Sequence, residues 1–330
     1  MNAVRLGLLL LLFLAPGIAA HAQVSGKPIP EEIARAVKSL PPAKHILVFD
    51  LREWRKNFPD APDHPDGQTS DPATTDKTAQ LRTHLNQFTT NAVEPVISSL
   101  GWKPEDANRF TFVDFETAED SSDETGLLFL EGVAALSSLD PGIVLEHHQN
   151  GRIVVVQAPA GFEGLSLKKN RLAIAQLADG IMVAGRIEQV SRLLNDARTP
   201  EAESENSKFI DGLNQTDGLL RGFFDYQEFE ITDGIHLGRV FFGIRAENDE
   251  LVARGFLRMN SPAEVAAMCQ KYEQGLLEAL AKANEEDADE HIREEARIFL
   301  NKAALEPAGT ELRFRFGEEA IIKVLEAFQQ

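Results

Sequence analysis

Two stretches of this chain read almost alike, and that likeness constrains its fold more than any other feature. Val48-Phe49-Asp50-Leu51-Arg52-Glu53-Trp54 and Phe223-Phe224-Asp225-Tyr226-Gln227-Glu228-Phe229 both run apolar, Phe, Asp, apolar, polar, Glu, aromatic. An apolar run that meets Asp reads as a strand reaching a turn, because Asp hydrogen-bonds its own nearby backbone. The segments that follow also match in order. In the first half a strand at 110–115 leads through an acidic turn, 119–125, to a second strand at 126–131. In the second half strands at 240–246 and 251–258 bracket the polar turn 247–250. Each half continues with a helical stretch, a glycine-containing hairpin and a terminal helix, 186–194 or 318–328. Recurrence of a pattern along one chain is the mark of internal duplication. The expected fold class is α+β: two related halves, each an antiparallel sheet with β-hairpins packed against amphipathic helices.

Local signals fill in each half. Residues 45–51 (HILVFDL) form a short apolar strand run. Segments 143–148 and 152–157 flank Asn150-Gly151, and 172–177 and 181–185 flank Asp179-Gly180. Both dipeptides supply the positive φ that tight hairpin turns demand. Ala308-Gly309 separates another pair ending at 311–316 (ELRFRF). Apolar and basic residues alternate there, so one face is buried and one is wet.

Helical spacing groups Ile33, Val37 and Leu40 within 30–40. It also groups Leu81, Leu85, Phe88, Ala92 and Val96 within 77–100, where Pro95 kinks or restarts the helix. Ser261-Pro262-Ala263-Glu264 is a capping box with proline at the first helical position. It opens a helix bearing Val265, Met268, Tyr272, Leu276 and Leu280. A helix with Ile292, Ala296, Phe299, Leu300 and Ala303 follows, and 318–328 carries Ile321, Ile322, Leu325 and Phe328.

The start of the chain predicts its compartment. Arg5 precedes an aliphatic run over 6–14, and Ala20-His21-Ala22 has the form of a cleavage site. The run is shorter than the about 20 apolar residues that span a bilayer. Residues 1–22 are read as a signal peptide, and the mature chain as exported, periplasmic or extracellular, with no membrane span. Cys269 is the only cysteine, so no disulfide forms within the chain. A chain of this length builds its core without such staples. Residues 59–78, rich in Pro, Asp, Thr and Gly, are expected to form a mobile loop. Residues 199–206 (TPEAESEN) read as a linker. The expected organisation is a signal peptide at 1–22, a first half at 23–198, the linker at 199–206 and a second half at 207–330. This order resembles secreted bacterial proteins of unknown function built as two related α+β halves. The resemblance implies a fold type and an envelope location, and no activity or functional residues.

The chain carries 33 basic and 52 acidic residues, a formal net charge of −19. Such a field repels nucleic acid and anionic lipid heads, and it keeps an exported protein soluble. The partner expected is a protein or small molecule of unspecified kind, and no nucleic acid.

Chemical motifs are sparse. Gly164-Leu165-Ser166-Leu167-Lys168 lacks the second glycine of a nucleophile elbow. Cys269 lies on the apolar stripe with Val265 and Tyr272, so it is expected to be buried and unreactive. Asp50 and Asp225 recur at matching positions. They read either as a duplicated binding or catalytic carboxylate or, preferably, as strand-end Asp residues that cap the next turn. His147 and His148 are strand neighbours and point to opposite faces, so they cannot chelate one ion together. Asp60, Asp63, Asp66 and Asp71 surround Gly67 without the alternate spacing or twelfth-position Glu of an EF-hand. Asp120-Ser121-Ser122-Asp123 is no metal-dependent adhesion signature. Residues 285–290 (EEDADE) read as a solvated helix junction, and Asn214-Gln215-Thr216 fits a glycosylation sequon. There is no P-loop and no strand-linked G-x-G-x-x-G, and the basic residues are scattered. No catalytic, cofactor-binding or metal residue is assigned, and no cofactor is expected. The reading is a non-catalytic binding or interaction module of the cell envelope. The alternatives are a hydrolase whose site is assembled from distant carboxylates, and a calcium-dependent structural protein using the loop at 60–76.

Overall fold

The computed structural model describes residues 27–57, 94–115, 126–139, 141–157, 171–196, 204–227, 230–232, 235–236, 238–247, 250–283, 293 and 303–321. The expected signal peptide, the loop at 59–78, most of the helix at 77–100, the turn at 119–125 and nearly all of the helix around Phe299 lie outside these residues. Two units divide the described chain, one ending at Asn214 and the other beginning at Gln215.

In the first unit helix α1 (Glu31–Lys38) buries Ile33, Ala36 and Val37 at helical spacing. Strand β1 (Ala43–Phe49) then meets Asp50, whose Oδ1 accepts the Glu53 amide at 2.9 Å. That cap starts α2 (Leu51–Asn57), so Leu51 opens a helix where the apolar run suggested more strand. Helix α3 (Glu94–Ser99) leads toward β2 (Arg109–Phe115), β3 (Gly126–Glu131), β4 (Val144–His148), β5 (Ile153–Gln157), β6 (Arg171–Ala178) and β7 (Ile181–Gly185). These seven strands form an antiparallel arrangement ordered β1-β2-β3-β7-β6-β5-β4.

The rows across these strands are apolar on both faces. Val48, Thr111, Phe129, Val183, Ala175 and Ile153 sit side by side and are all buried. On the opposite face Phe49, Phe110, Leu130 and Met182 are equally buried. Helix α4 (Ile187–Asp196) packs on β5, β6 and β7 through a face that includes Val190 and Leu193. Helix α5 (Glu205–Gln215) begins inside the segment read as a linker, so Glu205 and Asn206 are helical. Asn206 explains why. Its Oδ1 accepts the Ala43 amide at 2.8 Å, and its Nδ2 donates to the carbonyls of Val37, Leu40 and Pro41 at 2.8–3.1 Å. One buried amide thus satisfies the end of α1 and the start of β1.

The two turn dipeptides behave differently. Ala178 pairs with Ile181, so Asp179-Gly180 is the whole loop. His148 pairs with Ile153, so Asn150-Gly151 lies within a four-residue loop at 149–152. Gln149, Asn150 and Gly151 all take positive φ there, a cost that Asn and Gly tolerate best.

The second unit contains β8 (Leu220–Asp225), a short pair β9 (Glu230–Thr232) and β10 (Ile235–His236), β11 (Arg239–Glu247), β12 (Glu250–Arg258), α6 (Pro262–Ala283), β13 (Ala303–Ala308) and β14 (Glu311–Phe316). Apart from the short pair its strands are antiparallel in the order β8-β11-β12-β14-β13. Ala303 begins a strand here, where helical spacing had assigned it to the end of a helix. The capping box forms: Ser261 Oγ accepts the Glu264 amide at 3.2 Å, and Glu264 accepts the Asn260 amide at 3.0 Å. Val265, Met268 and Tyr272 of α6 are buried, and the helix packs on β13, β14 and β10. The architecture is α+β, with antiparallel sheet packed against several helices. No helix among the described residues is long and apolar enough to cross a membrane.

Candidate functional site

Strand alternation gathers arginines on one face of the second unit. In register, three rows cross β8, β11, β12 and β14. The first is Asp225–Arg239–Arg258–Glu311, the second Phe223–Phe241–Phe256–Arg313, the third Arg221–Gly243–Arg254–Arg315. Arg245 and Glu247 continue the same face along β11, because side chains two apart on a strand share a side.

The middle row anchors the face. Phe223, Phe241 and Phe256 are buried, with centroids 5.1 and 4.8 Å apart in sequence across the strands. The Arg258 guanidinium lies over both Phe241 and Phe256, at 5.5 and 5.3 Å, where the ring quadrupole attracts a cation. Backbone closes the third row. A Cβ on Gly243 would run into the Asp217 carbonyl oxygen, so only glycine lets that segment pass. The passage puts the Asp217 carboxylate 3.1 Å from Arg245 Nη1.

Two carboxylates knit the arginines together. Glu247 contacts Arg245, Arg254 at 2.9 Å and Arg315 at 3.5 Å. Glu311 contacts Arg258 at 2.9 Å and Arg313 at 3.6 Å. Arg254 and Arg315 stand directly opposite each other, an arrangement that repels unless an anion lies between them. Burial pushes the Glu247 carboxyl up, but Arg245 and Arg254 outweigh it and hold its pKa below the ordinary value. The face is graded: Arg239 is 16 % exposed, while Arg313 and Arg315 are 50 % and 45 % exposed. Arg254 Nε is buried without a hydrogen-bond partner. Planar guanidinium groups presented this way bind carboxylate or phosphate oxygens in pairs.

The residues singled out in the sequence fall elsewhere or into structural roles. Asp50 caps α2, and its Oδ2 lies 3.5 Å from Arg109. Asp225 Oδ1 accepts the Gln227 amide at 3.1 Å, and its Oδ2 lies 3.3 Å from Arg239. Both are strand-end Asp residues that hold a turn. Cys269 is half-buried, more accessible than its place on the helical stripe suggested. Partial burial and the Glu273 charge still push its thiol pKa up. Burial also pushes the Tyr272 phenol up. His148 Nε2 lies 3.0 Å from Glu146, which Arg171 also contacts, and the hydrogen bond from His148 leads in lowering the Glu146 pKa. His147 is exposed on the other side of β4. Asn214 accepts the Ile29 amide at 3.1 Å, and Thr216 is buried, so this sequon is built into the fold. Ser166, the aspartates at 60–71, Asp120, Asp123 and the 285–290 run lie outside the described residues. No group of three or more His, Cys, Asp or Glu that could hold a metal occurs among the described residues.

The arginine face was not among the sequence candidates. Its signal was the two-residue alternation of 311–316 continued through the 239–258 hairpin, which becomes legible only once the register of the turn is known.

No family model matches this chain, and no curated protein matches it. Among solved structures, crystal form I of TP0453 is similar at 10 % identity and a TM-score of 0.40, covering 90 % of this chain and 98 % of that one. Crystal form III is similar at 10 % identity and a TM-score of 0.41, covering 88 % and 96 %. Crystal form IV gives 9 % identity and 0.39, covering 88 % and 95 %.

Proposed function

We propose that this chain is an exported, non-catalytic binding or interaction module of the cell envelope, and that the arginine face of its second half is the recognition surface. Export rests on Arg5, the aliphatic run and the Ala20-His21-Ala22 site. The observation that carries the binding reading is the half-exposed pair Arg313 and Arg315 beside Arg254, on a chain whose net charge is −19. Long cationic side chains presented in register on an acidic protein focus an anionic partner onto one face.

The module is built from two related halves, 23–198 and 207–330. The strand orders β1-β2-β3-β7-β6 and β8-β11-β12-β14-β13 support this, with every neighbour antiparallel. In each half an Asp ends the first strand and pairs with the Arg that opens the second: Asp50 with Arg109, Asp225 with Arg239. In register, Phe112 corresponds to Phe242, and Phe129-Leu130 to Phe256-Leu257.

The test is calorimetric titration of the full chain with polyglutamate, pyrophosphate and polylysine. Salt-sensitive, saturable binding of an anion, lost in Arg313→Ala/Arg315→Ala, is the expected result. Undiminished binding by that double variant, or no binding of either anion, overturns the assignment of this face. Intact mass of the exported protein tests the compartment: a chain starting at Gln23 is expected, and one starting at Met1 refutes cleavage.

A further inference from the structure

We infer that the partner of the arginine face is an extended acidic segment of a protein, laid along β14 with carboxylates on alternate residues; this rests on the binding reading above. The face already shows which group its guanidiniums accept. Glu247 bridges Arg254 and Arg315, which stand opposite each other, and Glu311 bridges Arg258 and Arg313, which lie diagonally across β12 and β14, so each couple holds one carboxylate. The five guanidiniums of Arg245, Arg254, Arg258, Arg313 and Arg315 share these two acids and Asp217. Arg313 and Arg315 keep about half their surface open.

Their spacing selects the ligand. Two residues along a strand span about 6.8 Å, so the stems of Arg313 and Arg315 rise one such interval apart on the same face. An extended chain repeats the same interval, so acids at positions i and i+2 meet both guanidiniums. The ends of the patch limit its length. Glu247 and Glu250 stand at one end of the hairpin and Glu311 at the other, while the exposed Glu306 flanks Arg313 from β13. Acids placed beyond the arginines therefore meet like charge. A contiguous acidic block pays that repulsion, while an alternating segment avoids most of it.

The experiment uses the full chain and two fluorescent peptides of identical composition, one alternating Glu with Ser and one with all Glu in a block, with pyrophosphate as competitor. Anisotropy at low salt is expected to show the alternating peptide binding about tenfold tighter, with affinity falling as salt rises. Arg313→Ala and Arg315→Ala should each abolish the preference, and Arg315→Lys should restore it only in part, because lysine lacks the planar fork. Unchanged thermal melts for these half-exposed positions separate lost binding from lost folding. Equal affinity for the two peptides, or displacement by pyrophosphate with no peptide preference, overturns the extended acidic ligand and leaves an anion-binding face. Failure of both peptides and pyrophosphate to bind overturns both readings.

Discussion

Strands β1, β2, β3 and β7 of the first unit and β8, β11, β12 and β14 of the second lie side by side in antiparallel order, and they carry opposite chemistry on one face. Beginning at Arg109 the first unit lays down Val48–Thr111–Phe129–Val183 and then Ile46–Val113–Leu127–Gly185. Beginning at Arg239 the second lays down Phe223–Phe241–Phe256–Arg313 and then Arg221–Gly243–Arg254–Arg315. Both sets of rows have a buried aromatic on the third strand, Phe129 or Phe256. They part at the positions around it, where Leu127 and Val183 are fully buried and Arg254 and Arg313 reach solvent. A buried aromatic on a sheet face can therefore be flanked either by packed aliphatic side chains or by arginines that reach solvent.

Residues exchanged between the two faces put this contrast to the test. The largest effect is expected from Leu127→Arg. It forces a guanidinium into a fully buried site packed for leucine, at a cost of more than about 5 kcal/mol. Denaturant melts or loss of soluble protein would show it, and a well-folded variant would mean the two faces are interchangeable. Next come the shared anchors. Phe129→Ala and Phe256→Ala should each cost about 3–5 kcal/mol. A small loss for Phe256→Ala alone would show that the arginine face is not held by its aromatic row. The reverse exchange, Arg254→Leu, should change stability by less than about 1 kcal/mol, because Arg254 is partly exposed and Arg245 and Arg315 still hold Glu247. It should nevertheless raise the Glu247 pKa, measurable by carboxyl NMR titration.

The smallest effect concerns pH. The Glu247 pKa is lowered on folding, so its contribution is present above the ordinary value of 4.5 and disappears as pH falls through the lower folded value. Acid melts of the wild type should thus lose stability below about pH 4.5 more steeply than those of Glu247→Gln. Parallel curves would place its stabilisation elsewhere.

Much of the fold was legible in the sequence because it is written in local terms. The Asp179-Gly180 turn, the Ser261–Glu264 cap and the alternation over 311–316 each depend on a few neighbouring residues. Leu51 and Ala303 were misplaced where local signals conflict. An apolar residue after a capping Asp suits a strand or a helix start, and Ala303 fits helical spacing while pairing with Phe316. The arginine face was hidden for a different reason. Its members come from three strands, and only register brings Arg254 beside Arg315. Asn206 was hidden likewise, because a polar residue in a polar stretch gives no sign that its amide will be buried.

That amide also sets a schedule for the first unit. The Ala43 amide and the carbonyls of Val37, Leu40 and Pro41 all meet the side chain of Asn206. A ribosome delivers the N-terminal residues first, so α1 and β1 meet Asn206 only after every strand of their own unit has been made. Closure of so wide a chain loop is slow compared with hairpin formation. The contact that ties the end of α1 to the start of β1 therefore closes last in chain order, and α5 acts as its clasp.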